Sequence, residues 1–233
     1  MFTIKITIGI FVHRVKGTIM KLKVNEIFYS LQGESVHTGL PCVFVRLTGC
    51  NLRCRFCDTQ YAFHEGSVLT VPQVVETVSG FGCRLVEITG GEPLVQENTP
   101  LLAGKLLDKG HQVLVETNGS LNIDRLDPRC SRIMDIKCPS SGESERNDVN
   151  NFDRLTANDQ VKFVIGDRND FDFACDGLPK LLGKLPVERI LFSAIEGQLE
   201  PSILAKWILK ERLQVRLQVQ LHKVLWPNQD RGV

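Results

Sequence analysis

Cys42-Val-Phe-Val-Arg-Leu-Thr-Gly-Cys50-Asn-Leu-Arg-Cys54-Arg-Phe-Cys57-Asp-Thr59 is the stretch from which the rest of the chain can be read. Its start, Cys42 to Leu47, is apolar apart from Arg46 and has the length of a buried β-strand. Its end sets three cysteines in CxxxCxxC spacing on one short loop, where three thiolates can converge on one metal centre. Three readings follow. A structural zinc loop needs a fourth ligand, and His64 is the nearest candidate. A 4Fe-4S cluster takes four thiolates when fully ligated, so three leave one iron open to a substrate or cofactor. The third reading is three unrelated thiols.

The same grammar recurs outward from this stretch. Leu85 to Thr89 runs into Gly90-Gly-Glu-Pro93, Val113 to Glu116 into Thr117-Asn118-Gly119, and Ile133 to Ile136 into Lys137. In α/β folds the carboxyl ends of strands form the ligand-binding rim, and glycines there let the backbone approach closely. The plainer alternatives are a tight turn for Gly90-Gly-Glu-Pro93, an ordinary turn for Asn118-Gly119 and a surface charge for Lys137. Further strands are expected near 24–29, 160–165, 188–193 and 214–220. Helices are expected from Thr70, where Thr70 and Gln73 have capping-box spacing and Pro72 lies in the first turn, and near 99–109, 170–184 and 201–213. In the last of these Ile203, Leu204, Trp207 and Ile208 share a face that Lys206, Lys210 and Glu211 avoid. Strand, helix, strand in this order predicts one α/β domain with a largely parallel sheet, doubly wound or closed into a full or partial (β/α) barrel. Ser140 to Asn158, rich in Ser, Asn, Asp and Glu, is expected to be the longest loop. Residues 1–19 look like a leader ahead of a second methionine, Met20, with a single domain over 20–233.

Composition narrows the function. The chain has 233 residues, with 28 Lys and Arg against 27 Asp and Glu, a formal charge of +1. No global field exists to hold a nucleic acid by its phosphates. No run approaches the roughly 20 apolar residues of a membrane span, and the short apolar run Ile8–Val12 is not a secretory signal. A cytoplasmic protein with no membrane or nucleic-acid partner is expected. Eight cysteines are too few for a disulfide scaffold in a chain this long.

The CxxxCxxC loop with Phe56 before its last cysteine, joined to Gly90-Gly-Glu-Pro93, resembles the signature of the radical S-adenosylmethionine superfamily. Asn25-Glu-Ile-Phe-Tyr-Ser-Leu-Gln-Gly-Glu34, Gly39, Phe44-Val-Arg46, Cys57-Asp-Thr59 and Leu221-His-Lys-Val-Leu-Trp226 together resemble the 7-carboxy-7-deazaguanine synthase family within it, over most of the chain from Met20 onward. The Leu-Gln-Gly-Glu segment is shared with some glycyl-radical activating enzymes, which act on a protein partner; a non-catalytic zinc module is the alternative from another class.

The resemblance implies a barrel of the radical S-adenosylmethionine type and a 4Fe-4S cluster on Cys50, Cys54 and Cys57. It implies S-adenosylmethionine against Phe56, Cys57, Asp58, Gly91 and the triplet Asp135, Ile136 and Lys137, with Glu116 and Asn118 as further contacts. It implies Mg2+ on Thr59. The substrate implied is 6-carboxy-5,6,7,8-tetrahydropterin, framed by Leu31, Gln32 and Gly33, with its carboxylate on Arg46 and with Thr89 facing it. A 5'-deoxyadenosyl radical would take a hydrogen atom from the pterin. Ring contraction and loss of ammonia would then give 7-carboxy-7-deazaguanine, which feeds queuosine and related 7-deazapurines. A flavodoxin or ferredoxin as electron donor and a homodimer are implied as well. Glu34 is the glutamate to test for substrate orientation or proton transfer. His222 is placed on a late strand, where a lone histidine is more often structural than a substrate contact. Of the remaining cysteines, Cys42 is expected in the core and Cys138 near the proposed rim.

Overall fold

The computed structural model describes residues 20–233, so the leader expected over 1–19 lies outside the described residues. Nine strands form one sheet: β1 (Lys21–Leu31), β2 (Pro41–Leu47), β3 (Ser67–Thr70), β4 (Leu85–Gly90), β5 (Gln112–Thr117), β6 (Ser131–Ile136), β7 (Gln160–Ile165), β8 (Ile190–Ala194) and β9 (Arg216–Gln218). Their order is β3-β1-β2-β4-β5-β6-β7-β8-β9. From β2 through β9 every pairing is parallel, while β1 is antiparallel to both β2 and β3. The edge strands β3 and β9 do not pair with each other, so hydrogen bonds leave the sheet open. Side chains from β2, β4, β5, β6, β7 and β8 nevertheless line a single cavity, which requires the sheet to curve around it. The expected α/β architecture with a largely parallel sheet is present as a sheet curled part of the way to a barrel.

Helices α1 (Val71–Gly80), α2 (Thr99–Asp108), α3 (Asn151–Arg154), α4 (Arg168–Leu181), α5 (Pro201–Lys210) and α6 (Leu221–Leu225) join the strands. The predicted capping box opens α1: the Thr70 hydroxyl accepts from the Gln73 amide at 3.3 Å and Gln73 Oε1 accepts from the Thr70 amide at 2.8 Å. Val71, Val74, Val75 and Val78 then bury one face of α1 in the main core. Helix α5 stops at Lys210 rather than 213, and Arg212 turns the chain with a φ of 54°. The stretch 140–158 is not wholly loop, since α3 forms within it.

Alternation along each parallel strand separates two environments. On β4, Val86 and Ile88 face the helices in the main core, and on β5 Val113 and Val115 do the same. The opposite face begins with a small apolar floor of Cys42, Phe44, Leu85, Leu114 and Ile133, with Phe28 stacked on Phe44 at 4.9 Å. One step toward the carboxyl ends that face turns polar, with Arg46, Glu87, Glu116, Asp135 and Lys162. Burying the apolar helix-facing residues, at about 1.5–3 kcal/mol for each large side chain, anchors strands whose other face carries charge. No helix among the described residues is long and apolar enough to cross a membrane.

Candidate active site

A cavity of about 710 Å³ opens at the carboxyl ends of the parallel strands and is lined by Cys50, Cys54 and Cys57. The cysteine loop is held from three sides. Gly91 donates its amide to the Leu47 carbonyl at 3.2 Å, and Glu92 donates to the Gly49 carbonyl at 2.8 Å. A Cβ on Gly91 would collide with the Gly49 carbonyl, so glycine here lets the β4 turn lie against the cysteine loop. From the turn after β5, Ser120 accepts from Asn51 Nδ2 at 2.8 Å and Asn118 Nδ2 donates to Asn51 Oδ1 at 3.1 Å. From beyond β6, the Ser141 carbonyl accepts from the Arg55 amide at 3.1 Å and Glu143 accepts from the Arg53 amide at 2.6 Å.

Glu92 of the Gly-Gly-Glu-Pro turn is fully buried and does not line the cavity. Its carboxyl accepts from the Leu94 amide at 2.9 Å, the Thr117 hydroxyl at 2.9 Å and the Asn118 amide at 2.6 Å. It straps the β4 turn to the end of β5. The motif therefore shapes the rim, and the ligand-facing part of it is Thr89, Gly90 and Gly91.

All eight cysteines are free. Burial pushes the thiols of Cys50 and Cys54 up, so cluster assembly has to displace protons from both. Among the described residues no three His, Cys, Asp or Glu side chains are gathered closely enough to hold a single metal ion. Tetrahedral zinc would need its thiolates about 3.8 Å apart, whereas the thiolates of an iron–sulfur cluster bind different irons and stand farther apart. His64, the fourth ligand of the zinc reading, does not line the cavity; its ring lies edge-on to Phe63 at 6.3 Å. Three free thiols line the cavity and His64 does not, a donor set that suits a cluster with one open iron.

Opposite the loop lies a chain of buried charge. Lys162 on β7 donates to Glu34 Oε2 at 2.7 Å and to Glu116 Oε1 at 2.6 Å, with Asp135 Oδ2 at 3.8 Å. Lys137 donates to Asp135 Oδ2 at 2.8 Å. Burial alone would lower the Lys162 pKa, but Glu116, Glu34 and Asp135 hold it well above the usual lysine range. Burial would raise Glu34, yet Lys162 and the hydrogen bonds from Lys162 and Gln220 leave it below the ordinary carboxylate range. Asp135 Oδ1 is buried with no partner among the described residues, an acceptor open to a donor from a ligand. That orphaned oxygen, beside Lys137 in the cavity that the cysteines also line, fits the polar part of a cofactor such as S-adenosylmethionine.

Arg46 lines the cavity with Nε donating to Glu26 Oε1 at 2.8 Å, and its two terminal nitrogens make no hydrogen bond among the described residues. Tyr61 holds the same Glu26 oxygen at 3.1 Å; burial pushes its phenol up to about 12, so it remains a donor. The guanidinium is thus fixed from behind, leaving its fork open for a carboxylate. Thr59 precedes the 3₁₀ turn Gln60–Phe63 but makes no capping hydrogen bond, and it faces the cavity with its hydroxyl 3.8 Å from Cys57 Sγ.

Leu31, Gln32, Gly33, Phe56, Asp58 and Thr89 also line the cavity, so the expected contacts converge there. Ile136 differs: its side chain is buried in the helix-facing core, and any ligand contact it makes is through its main chain. His222 is not on a strand but on α6, and it lines the cavity beside Gly33, where a Cβ would collide with its ring. Cys138 is buried on the helix side rather than at the rim, and Cys42 is in the floor as expected. Lys162, Glu87, Glu26 and Tyr61 were not singled out in the sequence. For Glu87 and Lys162 the available signal was one charge inside an otherwise apolar strand, since Leu85 to Thr89 and Val161 to Ile165 have no need of one unless a face opens on a site.

Residues 44–134 match the family model of the radical S-adenosylmethionine superfamily. A 7-carboxy-7-deazaguanine synthase from Chlorobaculum tepidum is 45% identical over 223 residues, covering 93% of this chain and 100% of that one. Another from Koribacter versatilis is 39% identical, covering 91% of this chain and 100% of that protein. Among solved structures, QueE from Escherichia coli superposes with a TM-score of 0.68 at 22% identity, over 87% of this chain and 95% of that one, a likeness of fold. Identity of this degree across whole proteins, together with a cysteine loop and a lone arginine facing one cavity, settles the kinship: the chain belongs to the 7-carboxy-7-deazaguanine synthase family of radical S-adenosylmethionine enzymes.

Proposed function

We propose that the chain converts 6-carboxy-5,6,7,8-tetrahydropterin to 7-carboxy-7-deazaguanine with loss of ammonia, supplying 7-deazapurine synthesis such as that of queuosine. The observation that carries this reading is the meeting, in one cavity, of three free cysteine thiols on the β2 loop with Arg46, whose fork is held open by Glu26. Cys50, Cys54 and Cys57 would hold a 4Fe-4S cluster with one open iron. Gly91, Asp135, Lys137 and the Phe56–Asp58 segment would hold S-adenosylmethionine. Cluster and cofactor together supply, when bound, the radical that abstracts hydrogen from the substrate.

The protein's own groups do the rest. Arg46 fixes the substrate carboxylate, Gln32 and the main chain of Leu31 and Gly33 read the ring, and Thr89, hydrogen-bonded to Glu116 at 3.0 Å, lies on the wall between them. Lys162 and its carboxylates give the released amine a polar, proton-rich wall. Burial lowers the His222 pKa, so near neutrality it meets the substrate as an uncharged imidazole. The Thr59 hydroxyl faces the cavity and caps no helix, which supports a magnesium ion on Thr59, since Mg2+ takes one or two protein oxygens and completes its shell with water and substrate oxygens. A flavodoxin or ferredoxin donor, a homodimer and a reducing cytoplasmic setting complete the proposal.

Two measurements test it. Holoenzyme is expected to bind the carboxylated pterin about 10- to 100-fold more tightly than the decarboxylated one, from a charge-assisted bidentate pair. Arg46→Met is expected to erase that preference by calorimetry; a preference that survives removes Arg46 from the substrate site. Thr59→Ala is expected to shift the magnesium dependence of turnover while leaving iron content unchanged, with Thr59→Ser restoring it. Equal loss of iron and magnesium response would make Thr59 a structural residue.

A further inference from the structure

Of the carboxyl groups that line the cavity, Glu34 and Glu116 touch Lys162 and Asp135 touches Lys137. Glu87 touches no cation among the described residues. It is only 4% exposed, on β4, in register between Phe44 of β2 and Leu114 of β5, directly over the apolar floor. Its Oε2 accepts from Nε2 of Gln32, and its Oε1 has no protein partner among the described residues although Glu87 lines the cavity. The charges facing it come from three elements: Glu34 after β1, Glu116 on β5 and Lys162 on β7, with the Cys42 thiol on β2.

Lys162 is already shared by two carboxylates, so a third ionised group beside them would be buried, unpaired and repelled. Burial, followed by repulsion from Glu116 and Glu34, pushes the Glu87 pKa well above the ordinary carboxylate value. Gln32 is pinned at both ends: Oε1 accepts from the Glu34 amide at 2.9 Å while Nε2 donates to Glu87, which fixes the direction of its amide. One proton of Nε2 is left without a partner among the described residues. An un-ionised Glu87 and a locked Gln32 therefore place two donors side by side above the floor.

We propose that Glu87 is a substrate-binding residue that meets the heterocycle as a neutral acid, its O–H donating to the ring's lactam carbonyl alongside the free N–H of Gln32. The assignment rests on the pterin reading of the cavity and adds to it the means of choosing an oxo over an amino substituent. A site built of donors rejects an amino group in the carbonyl's place, because donor then meets donor.

The test uses cluster- and S-adenosylmethionine-loaded enzyme titrated with pterin-6-carboxylate and with its 4-amino counterpart. Wild type is expected to favour the oxo compound by about tenfold or more. Glu87→Gln, which keeps an acceptor for Gln32 and a donor for the ligand, is expected to hold that ratio within about threefold. Glu87→Leu is expected to abolish the preference. Infrared difference spectra of wild type against Glu87→Gln, without pterin, are expected to show a protonated-carboxyl band in wild type alone. The proposal is overturned if Glu87→Gln loses the preference as fully as Glu87→Leu, if Glu87→Leu retains it, or if the band is missing. Binding of both pterins without preference sinks the Glu87 assignment alone; binding of neither sinks the pterin reading together with it.

Discussion

Cys54→Ala, prepared without oxygen, is expected to stay folded and to lose both its iron and its turnover. Two thiolates cannot hold a cluster that takes three from this loop, so iron should fall from about four per chain toward zero. The fold should survive, because the loop's path is set by contacts that do not involve the Cys54 side chain. Leu47 and Gly49 are hydrogen-bonded to the Gly91–Glu92 turn, Asn51 to Asn118 and Ser120, and Arg53 and Arg55 to Glu143 and Ser141. Iron analysis, the visible absorption of the cluster and a thermal melt of the metal-free forms separate the two effects. Retention of full iron would contradict the three-cysteine centre. A metal-free melt far below that of wild type would mean that Cys54 holds the loop by packing.

Lys162→Leu is expected to cost about 3–5 kcal/mol of folding stability near neutral pH, the usual consequence of removing one partner from a buried ionic cluster. The cost follows from what stays behind: Glu34 and Glu116 both lose their cation, and Asp135 keeps only Lys137. The sign of the pH dependence is fixed by the shifts. Lys162, raised in the folded state, stabilises below the unfolded lysine value near 10.4 and loses that contribution as pH climbs through its folded value. Glu34, lowered in the folded state, stabilises above the unfolded carboxylate value near 4.3 and loses that contribution as pH falls through its folded value. The cluster's contribution is therefore flat around neutrality. In Lys162→Leu the stranded carboxylates can instead take up protons, so the deficit should shrink as pH falls from 7 toward about 5. Urea unfolding at both pH values checks this. A deficit below about 1 kcal/mol at pH 7, the scale of an exposed ion pair, would contradict a buried cluster.

What could be read from the sequence depended on how locally each feature is encoded. The cysteine loop and the double glycine are contiguous motifs at strand ends, and the capping box of α1 needs only Thr70 and Gln73. Strand β3, by contrast, is four residues long, largely exposed and paired only with β1, too little for periodicity to register. His222 reads as a strand residue because Leu221 to Leu225 is too short to display a helical period, and only the path of the chain beside Gly33 brings it to the cavity. The charged wall is the least local feature of all. Glu34, Glu116, Asp135 and Lys162 lie up to 128 residues apart along the chain; the strand ends place Glu116 and Asp135 on one rim, but nothing local announces that Lys162 joins them to Glu34. The inward steps at Glu87, Asp135 and Lys162 were visible, yet strands that look apolar throughout invite the reading of a sheet buried on both faces. The structure shows one face given to the core and the other to chemistry.

The central claim, that this cavity performs radical ring contraction on a carboxylated pterin, is tested most directly by turnover without oxygen. Iron–sulfur-loaded protein is incubated with a reductant, S-adenosylmethionine, Mg2+ and 6-carboxy-5,6,7,8-tetrahydropterin, and the products are identified by mass. Appearance of 7-carboxy-7-deazaguanine together with ammonia is the predicted result. Cleavage of S-adenosylmethionine with the pterin recovered intact would contradict it, and would point instead to an enzyme that places its radical on another partner.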